Sequence, residues 1–125
     1  MTPEPPAPES QSPDSAMHRI DELLSHVWMV RTFVKHSDEA IDDDELKEVV
    51  RELYDFALAL GPAWNEKNAA EYLKQAKKKL AKLRAATEQF AEIQPEVSTH
   101  TNFQMAVTSL RAAVREIGAI LEAGA

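Results

Sequence analysis

Apolar residues recur at alternating steps of three and four in four stretches of the chain, and this pattern predicts its fold. Such a spacing keeps the side chains on one side of an α-helix. The four stripes are Ile20, Leu23, Val27, Val30 and Val34; Leu46, Val49, Leu53, Phe56 and Leu60; Ala69, Leu73, Ala76, Leu80, Leu83, Thr87 and Phe90; and Phe103, Val107, Leu110, Val114, Ile117 and Leu121. Four stripes in a chain of 125 residues predict a single domain of four helices around a shared core.

The N-terminal segment differs in composition from the rest of the chain. Residues 1–15 contain five of the seven prolines and no lysine or arginine. Such a segment buries too little apolar surface to offset the entropy lost on ordering, so residues 1–15 are predicted to be a disordered tail and residues 16–125 to form the bundle. The tail either only solubilises the protein or presents an extended peptide to a partner. Helix 1 is expected from about Ser15, a suitable N-cap, to about His36.

Acidic residues and a Gly-Pro pair delimit the second helix. Helix 2 is expected to begin at Asp42 or Asp43, because the carboxylates that follow favour the positive end of a helix dipole. It is expected to end at Gly61-Pro62, since glycine permits a left-handed cap and proline cannot continue the hydrogen-bond ladder.

Proline and a capping pattern delimit the last two helices. Helix 3 is expected over residues 65–94, because Pro95 ends it. Helix 4 is expected over residues 101–122, with Thr101 and Gln104 as a capping box. Short connections make successive helices antiparallel neighbours, so the predicted fold is an all-α, up-down-up-down four-helix bundle. A three-helix core with one peripheral helix is the alternative architecture.

Charge is unevenly distributed in this chain, which has a net charge of −7. Residues 38–55 contain nine acidic residues against two basic ones, whereas residues 74–84 contain six basic residues and no acidic one. The basic face of helix 3 is Lys74, Lys77, Lys78, Lys82 and Arg84. An acidic chain is a poor candidate for general nucleic-acid binding. An RNA- or ribosome-associated factor that uses this face is therefore the weakest functional alternative.

Composition also bears on location. The chain has no cysteine, which excludes disulfides and thiolate metal sites and agrees with a reducing compartment. The N-terminus has neither the basic region nor the apolar region of a signal peptide. No stretch approaches the roughly 20 apolar residues that span a bilayer. We therefore expect a cytoplasmic protein without a membrane partner.

Helix 1 carries more apolar surface than one seam of a bundle requires. A second stripe, formed by His26, Met29, Phe33 and His36, lies outside the first stripe. A helix that is apolar around most of its circumference is usually buried on most sides, so something is expected to cover this second stripe. The alternatives are the connection between helices 2 and 3 or the end of helix 3, a second copy of the chain, and a ligand or partner protein.

Arg31 falls within the main stripe of helix 1 by its helical position. An unpaired buried charge is very costly, so the guanidinium is expected to reach the surface or to pair with a carboxylate. The candidate partners for such an ion pair are Glu52, Asp55 and Glu116. This structural role is preferred to anion binding.

No combination of residues indicates an enzyme. His26 and His36 are ten residues apart, about 15 Å along a helix, so one metal ion cannot bridge them. The chain lacks the Glu-x-x-His pairs of di-iron bundles, and three glycines are too few for a phosphate-binding loop. Haem or metal binding through His26, Met29 or His36 stays an alternative, although such residues on an apolar face usually pack. No cofactor is expected.

The sequence therefore predicts a non-enzymatic protein-interaction module. Its contact surface is predicted to be the second stripe of helix 1, joined by Trp28 and Trp64. The partner is expected to be another protein or a second copy of the chain, and a small-molecule ligand stays open. The haem- or metal-binding bundle is the first alternative to this function.

Overall fold

The structure of the protein, a computed structural model, describes residues 12–124. Within these residues the chain forms four α-helices and one short 3-10 turn, and no strand. The elements are α1 (Pro13–Lys35), the 3-10 turn (Asp38–Ala40), α2 (Asp44–Asn65), α3 (Ala69–Val97) and α4 (Thr101–Glu122). The predicted all-α class is confirmed.

Successive helices lie side by side and run in opposite directions. α1 packs against α2 and α4, α3 also lies between α2 and α4, and a smaller contact joins α1 to α3 across the bundle. At one end of the bundle Arg19 of α1 binds Glu116 of α4, and at the other Phe33 of α1 packs on Phe103 of α4. The start of α1 thus meets the end of α4. The predicted up-down-up-down bundle is confirmed, and all four helices contribute to one core.

The four predicted stripes form this core. Every residue of the four stripes is buried, and Ile20, Val27, Leu46, Leu110 and Ile117 are among the side chains with no exposed surface. The one polar member, Thr87, donates its hydroxyl hydrogen to the Leu83 carbonyl oxygen at 2.8 Å, so no hydrogen-bonding group is lost by its burial.

α1 begins earlier than predicted. The Ser12 hydroxyl accepts a hydrogen bond from the Ser15 amide at 3.3 Å, and Pro13 stands in the first turn, where its missing N–H removes no ladder bond. The N-cap assigned to Ser15 and the tail boundary at that residue are therefore wrong. The Ala16 amide donates a hydrogen bond to the Ser12 carbonyl at 2.9 Å, which closes the extra turn. The remainder of the predicted tail, residues 1–11, lies outside the described residues.

The start of α2 agrees with the prediction. Asp43 is the N-cap, and its carboxylate accepts a hydrogen bond from the Leu46 amide at 3.0 Å. Asp44 and Glu45 occupy the first turn, where the helix dipole favours negative charge.

The predicted end of α2 is wrong, because the helix continues through Gly61-Pro62. Pro62 lacks the N–H that would bond the Leu58 carbonyl, but both residues face solvent, where water can hydrate that carbonyl. In the following turn Ala63 is buried and Trp64 packs against the core. Burial of this turn stabilises the helix beyond the proline.

The third helix lies later in the chain than the predicted residues 65–94. α2 extends to Asn65, so α3 begins only at Ala69. The Asn68 side chain caps α3 by accepting a hydrogen bond from the Glu71 amide at 3.1 Å. The prediction that Pro95 ends the helix is wrong. Pro95 is exposed within the last turn, and the half-buried Val97 packs against the core beyond it.

The fourth helix covers the predicted residues, but its cap differs. His100 is the N-cap, and its Nδ1 accepts a hydrogen bond from the Asn102 amide at 2.9 Å. The Gln104 amide group donates to the Thr99 carbonyl at 3.1 Å. The capping box assigned to Thr101 is therefore wrong, since an imidazole nitrogen replaces the hydroxyl oxygen one residue earlier.

Candidate functional site

Exposed apolar side chains concentrate around α1. Trp28 and Met29 are neighbours in α1, with exposed fractions of 42% and 64%. Tyr54 on the facing edge of α2 and Met105 on α4 are also exposed. Only Ile41 and Leu58, among the other large apolar residues of the described chain, are similarly exposed. We call Trp28, Met29, Tyr54 and Met105 the α1 surface.

The predicted second stripe lies on the α4 side of this surface. Phe33 is half-buried, and its ring lies 5.0 Å from the Phe103 ring at 61°. The exposed His26 places Nδ1 3.3 Å from the Ser109 hydroxyl. α4 itself, rather than the connection between helices 2 and 3, therefore covers part of the stripe.

The rest of the second stripe is open. Met29 is exposed between His26 and Phe33 in α1. The α4 partners of these two residues, Ser109 and Phe103, lie on either side of Met105 in the sequence. His36 is exposed and caps the end of α1, where its backbone N–H donates to the Thr32 carbonyl at 3.1 Å.

Aromatic and cationic side chains meet on the α2 side of the α1 surface. The rings of Trp28 and Tyr54 lie 6.1 Å apart, and the Arg31 guanidinium carbon lies 4.4 Å from the first ring centroid and 5.1 Å from the second. The rings border a cleft of about 410 Å³. Three further cations, Lys35, Lys47 and Arg51, line it.

No carboxylate pairs with Arg31 among residues 12–124. Glu116 binds Arg19 instead, at 2.7 Å, while Glu52 and Asp55 line a cleft on the α3 side of α2. The buried ion pair expected for Arg31 is thus not formed within the described chain. The position lies at the edge of the stripe, where two aromatic faces attract the guanidinium in place of a carboxylate.

Trp64 lies away from the α1 surface, near the start of α1. Its ring packs edge-on against His18 at 5.4 Å and lies 6.1 Å from Tyr72. It also borders a cleft of about 780 Å³ together with Ala119 and Ile120 of α4. The structure therefore does not bring Trp64 together with the second stripe of helix 1.

Burial perturbs two ionisable groups next to Trp64. Tyr72 is fully buried, its hydroxyl has no hydrogen-bond partner in the described chain, and desolvation raises its pKa, with a further rise from the Asp21 carboxylate. Burial also raises the pKa of Asp21, against the opposing effect of His18. Tyr72 is thus kept as a neutral phenol, which suits a packing residue better than a reactive one.

The basic face of helix 3 is mostly solvent-exposed. Lys74, Lys77, Lys78 and Lys82 are exposed, and none of them forms an ion pair within residues 12–124. Arg84 differs, because it extends toward α4 and binds Glu122 at 3.1 Å. The lysines therefore form the free part of this face.

The residues named for haem or metal binding lie on the open side of α1. His26, Met29 and His36 are exposed. Within the described chain no three histidine, aspartate or glutamate side chains are grouped so as to hold a metal ion.

Two members of the α1 surface, Tyr54 and Met105, were not identified from the sequence. Tyr54 directly follows the core residue Leu53, and Met105 directly precedes the core residue Ala106, so their helical positions indicate only that they leave the core. Single exposed apolar residues are common on soluble proteins, and these two are grouped with Trp28 and Met29 only by their place beside α1.

Comparisons with known proteins add no functional assignment. Protein-family models, curated proteins and solved structures were compared with the chain, and none of them matches it. No helix within residues 12–124 is both long enough and apolar enough to cross a membrane.

Proposed function

We propose that the protein is a non-enzymatic interaction module whose α1 surface binds a partner protein or a second copy of the chain. The observation that carries this proposal is the clustering of exposed apolar residues: four of the six lie on α1 or on the edges of α2 and α4 beside it. Contiguous exposed apolar side chains usually mark interaction sites.

The side chains of the α1 surface suit such a role. The Trp28 ring packs against Tyr54 and the Arg31 guanidinium. Its side chain is therefore already restrained and would lose little rotamer freedom when a partner binds. Met29 and Met105 are unbranched and adaptable, and they have no ring to restrict how a partner packs. Tryptophan, tyrosine and arginine are also the residues that dominate binding energy at protein interfaces.

A matched pair of substitutions tests the proposal. Met29→Asp places a charge in the α1 surface, and Ala85→Asp places the same charge on α3, a helix that contributes no residue to that surface. The two residues lie inside helices and are exposed. Both variants are therefore expected to fold, with small changes in the free energy of unfolding.

Sedimentation of the wild-type chain over a wide range of concentration separates the two kinds of partner. If it self-associates, Met29→Asp is expected to give monomers and Ala85→Asp to leave the association intact. If the wild type is monomeric, the same three chains serve as baits in quantitative affinity capture. A protein retained by the wild type and by Ala85→Asp, but lost with Met29→Asp, supports the proposal, whereas equal retention by all three chains contradicts it.

Phe33 is a less suitable position for this test than the sequence indicates. Its ring packs on Phe103 within the same chain, so Phe33→Asp would bury a charge against α4. Loss of binding in that variant would mix a lost contact with a weakened bundle.

A further inference from the structure

The cleft between α1 and α2 has different chemistry at its two ends. Because the helices are antiparallel, the Trp28 and Tyr54 rings face each other at one end, 6.1 Å apart. Lys35, the last residue of α1, and Lys47, near the start of α2, line the cleft toward the connection between the helices. On each helix the aromatic ring and the ammonium group are separated by two turns, or about 10 Å.

The cationic end of the cleft lacks an anion. Arg51 is bound by Glu48, but Lys35 and Lys47 are exposed and form no ion pair within residues 12–124. Two ammonium groups that line one cleft repel each other, and a carboxylate between them would relieve that repulsion. The cleft is therefore locally cationic, although the chain has a net charge of −7.

Arg31 lies between the two ends and has unused hydrogen-bond donors. It is half-buried, its Nε has no hydrogen-bond partner within residues 12–124, and its Nη1 donates to the Thr32 hydroxyl at 3.4 Å. The Trp28 and Tyr54 rings lie against the guanidinium, whose N–H groups project from its edges. An incoming carboxylate can therefore accept hydrogen bonds from Arg31 without displacing the rings.

We propose that the cleft binds an acidic segment of the partner protein, with an apolar side chain against Trp28 and Tyr54 and a carboxylate beside Arg31. Further carboxylates of the segment would lie between Lys35 and Lys47. An extended chain rises about 3.3 Å per residue, so the apolar residue and the last of these carboxylates are about three positions apart. This inference rests on the proposed function, because the aromatic end of the cleft belongs to the α1 surface.

The surroundings of the cleft favour a short acidic peptide over a nucleic acid. Residues 38–39 and 42–45, which flank the connection between α1 and α2, are all acidic and would repel a long polyanion. At the aromatic end the surface continues into the exposed Met29, which suits an apolar side chain. Only a segment that joins a few carboxylates to an apolar residue complements both ends.

The indole N–H signals of the two tryptophans test the proposal directly. Trp28 lines the cleft, whereas Trp64 packs against His18 near the other end of α1 and serves as an internal control. Trp28→Phe assigns the two signals. The probe is a short peptide of glutamates with one central leucine and with acetylated and amidated ends, titrated into the full chain at ionic strengths of about 20 mM and about 500 mM. Two control peptides replace the glutamates by glutamine or the leucine by glycine.

A matched pair of variants locates the charge that the peptide uses. Lys35→Gln/Lys47→Gln removes the two cations at the end of the cleft, and Lys74→Gln/Lys77→Gln removes two from α3. All four lysines are exposed and form no ion pair within residues 12–124, so both variants are expected to fold.

The expected result is a shift of the Trp28 signal, with the Trp64 signal unchanged. The affinity should fall about fivefold or more at high salt, with each control peptide and in the variant of the cleft lysines, and it should persist in the α3 variant. The proposal is overturned if the Trp28 signal does not move at peptide concentrations up to about 10 mM, or if both lysine variants bind the peptide equally well. Tighter binding of a single-stranded oligonucleotide at Trp28 would also overturn it.

The same variants separate this inference from the proposed function. A partner protein that is lost with Met29→Asp but retained undiminished by Lys35→Gln/Lys47→Gln would overturn the acidic segment and keep the α1 surface as the binding site. Self-association of the wild type that Lys35→Gln/Lys47→Gln abolishes would overturn it as well, because a second copy of the chain would then occupy the cleft.

Discussion

Arg84 of α3 crosses over Gly118 of α4 on its way to Glu122. A Cβ atom at position 118 would overlap with Nη2 of Arg84 and lie 3.1 Å from its guanidinium carbon, and no other side chain is as near. The guanidinium then makes two hydrogen bonds to the Glu122 carboxylate, at 3.1 and 3.3 Å. The glycine thus gives the arginine its path across the helix.

Gly118→Ala is expected to stabilise the protein slightly, by about 0.5 kcal/mol. Alanine in a helix interior is favoured over glycine by about 0.5–1 kcal/mol, and the exposed ion pair that Arg84 would give up is worth little. Urea denaturation of Gly118→Ala, Glu122→Gln and the double variant measures both effects. Glu122→Gln should lower the free energy of unfolding by less in the Gly118→Ala chain than in the wild type. A loss of more than about 1 kcal/mol on Gly118→Ala would instead mean that Arg84 cannot move aside.

Gly61→Ala distinguishes the observed α2 from the shorter helix that the Gly-Pro pair predicts. In the structure Gly61 lies inside the helix, and a Cβ added there would meet no atom within 4 Å outside its two chain neighbours. One of these neighbours is Pro62, whose ring crowds the Cβ of a preceding helical residue, so the usual helix gain of about 0.5–1 kcal/mol is largely offset. The free energy of unfolding is therefore expected to change by less than about 0.5 kcal/mol, as measured by thermal or urea denaturation. At a left-handed cap the same substitution would lower it by more than about 1 kcal/mol, so the size of the loss decides between the two.

Tyr72→Phe is expected to stabilise the protein by about 1 kcal/mol at neutral pH. The Tyr72 hydroxyl is buried without a hydrogen-bond partner in the described chain, and a buried group in that state costs about 1–3 kcal/mol. Chemical denaturation of the two chains at pH 7 measures the difference. A destabilised variant would show that the hydroxyl has a partner after all, such as a bound water.

The same substitution also changes the response to alkaline pH. Burial raises the pKa of Tyr72 in the folded chain, so above about pH 10 the unfolded chain loses this proton while the folded chain keeps it. The stability of the wild type should therefore fall with pH in that range more steeply than the stability of Tyr72→Phe. Equal slopes for the two chains would contradict the raised pKa.

The periodicity of the sequence predicts the fold, because the residues that one helix face buries must recur at steps of three and four. Helix ends depend instead on weak local preferences that tertiary packing overrides. Pro62 and Pro95 did not end their helices, since each faces solvent while residues beyond it, such as Ala63 and Val97, pack against the core. A single sequence does not indicate which face a proline takes when the bundle closes.

The candidate site was predictable only in part, for a related reason. The second stripe of α1 follows from spacing, and its exposed Met29 is found where the spacing places it. The packing of the helices decides which neighbouring helix covers Phe33. It also decides which exposed residues of other helices lie beside Met29. The chemistry of Trp64 groups it with the stripe, but the antiparallel path of α2 places it near the other end of α1, beside His18.

The pairing of α1 with α4 has a consequence for how the chain is made. Arg19 and Glu116, which join these helices, are 97 residues apart, whereas α2 and α3 form a local hairpin. Contacts of such long sequence separation form slowly, and a nascent chain emerges from its N-terminus first. During synthesis Phe33 therefore has no partner Phe103 until α4 has been made. In that interval the α4 of a neighbouring chain that already has this helix can pack on α1, so synthesis of many chains close together should favour exchange of α4 between chains.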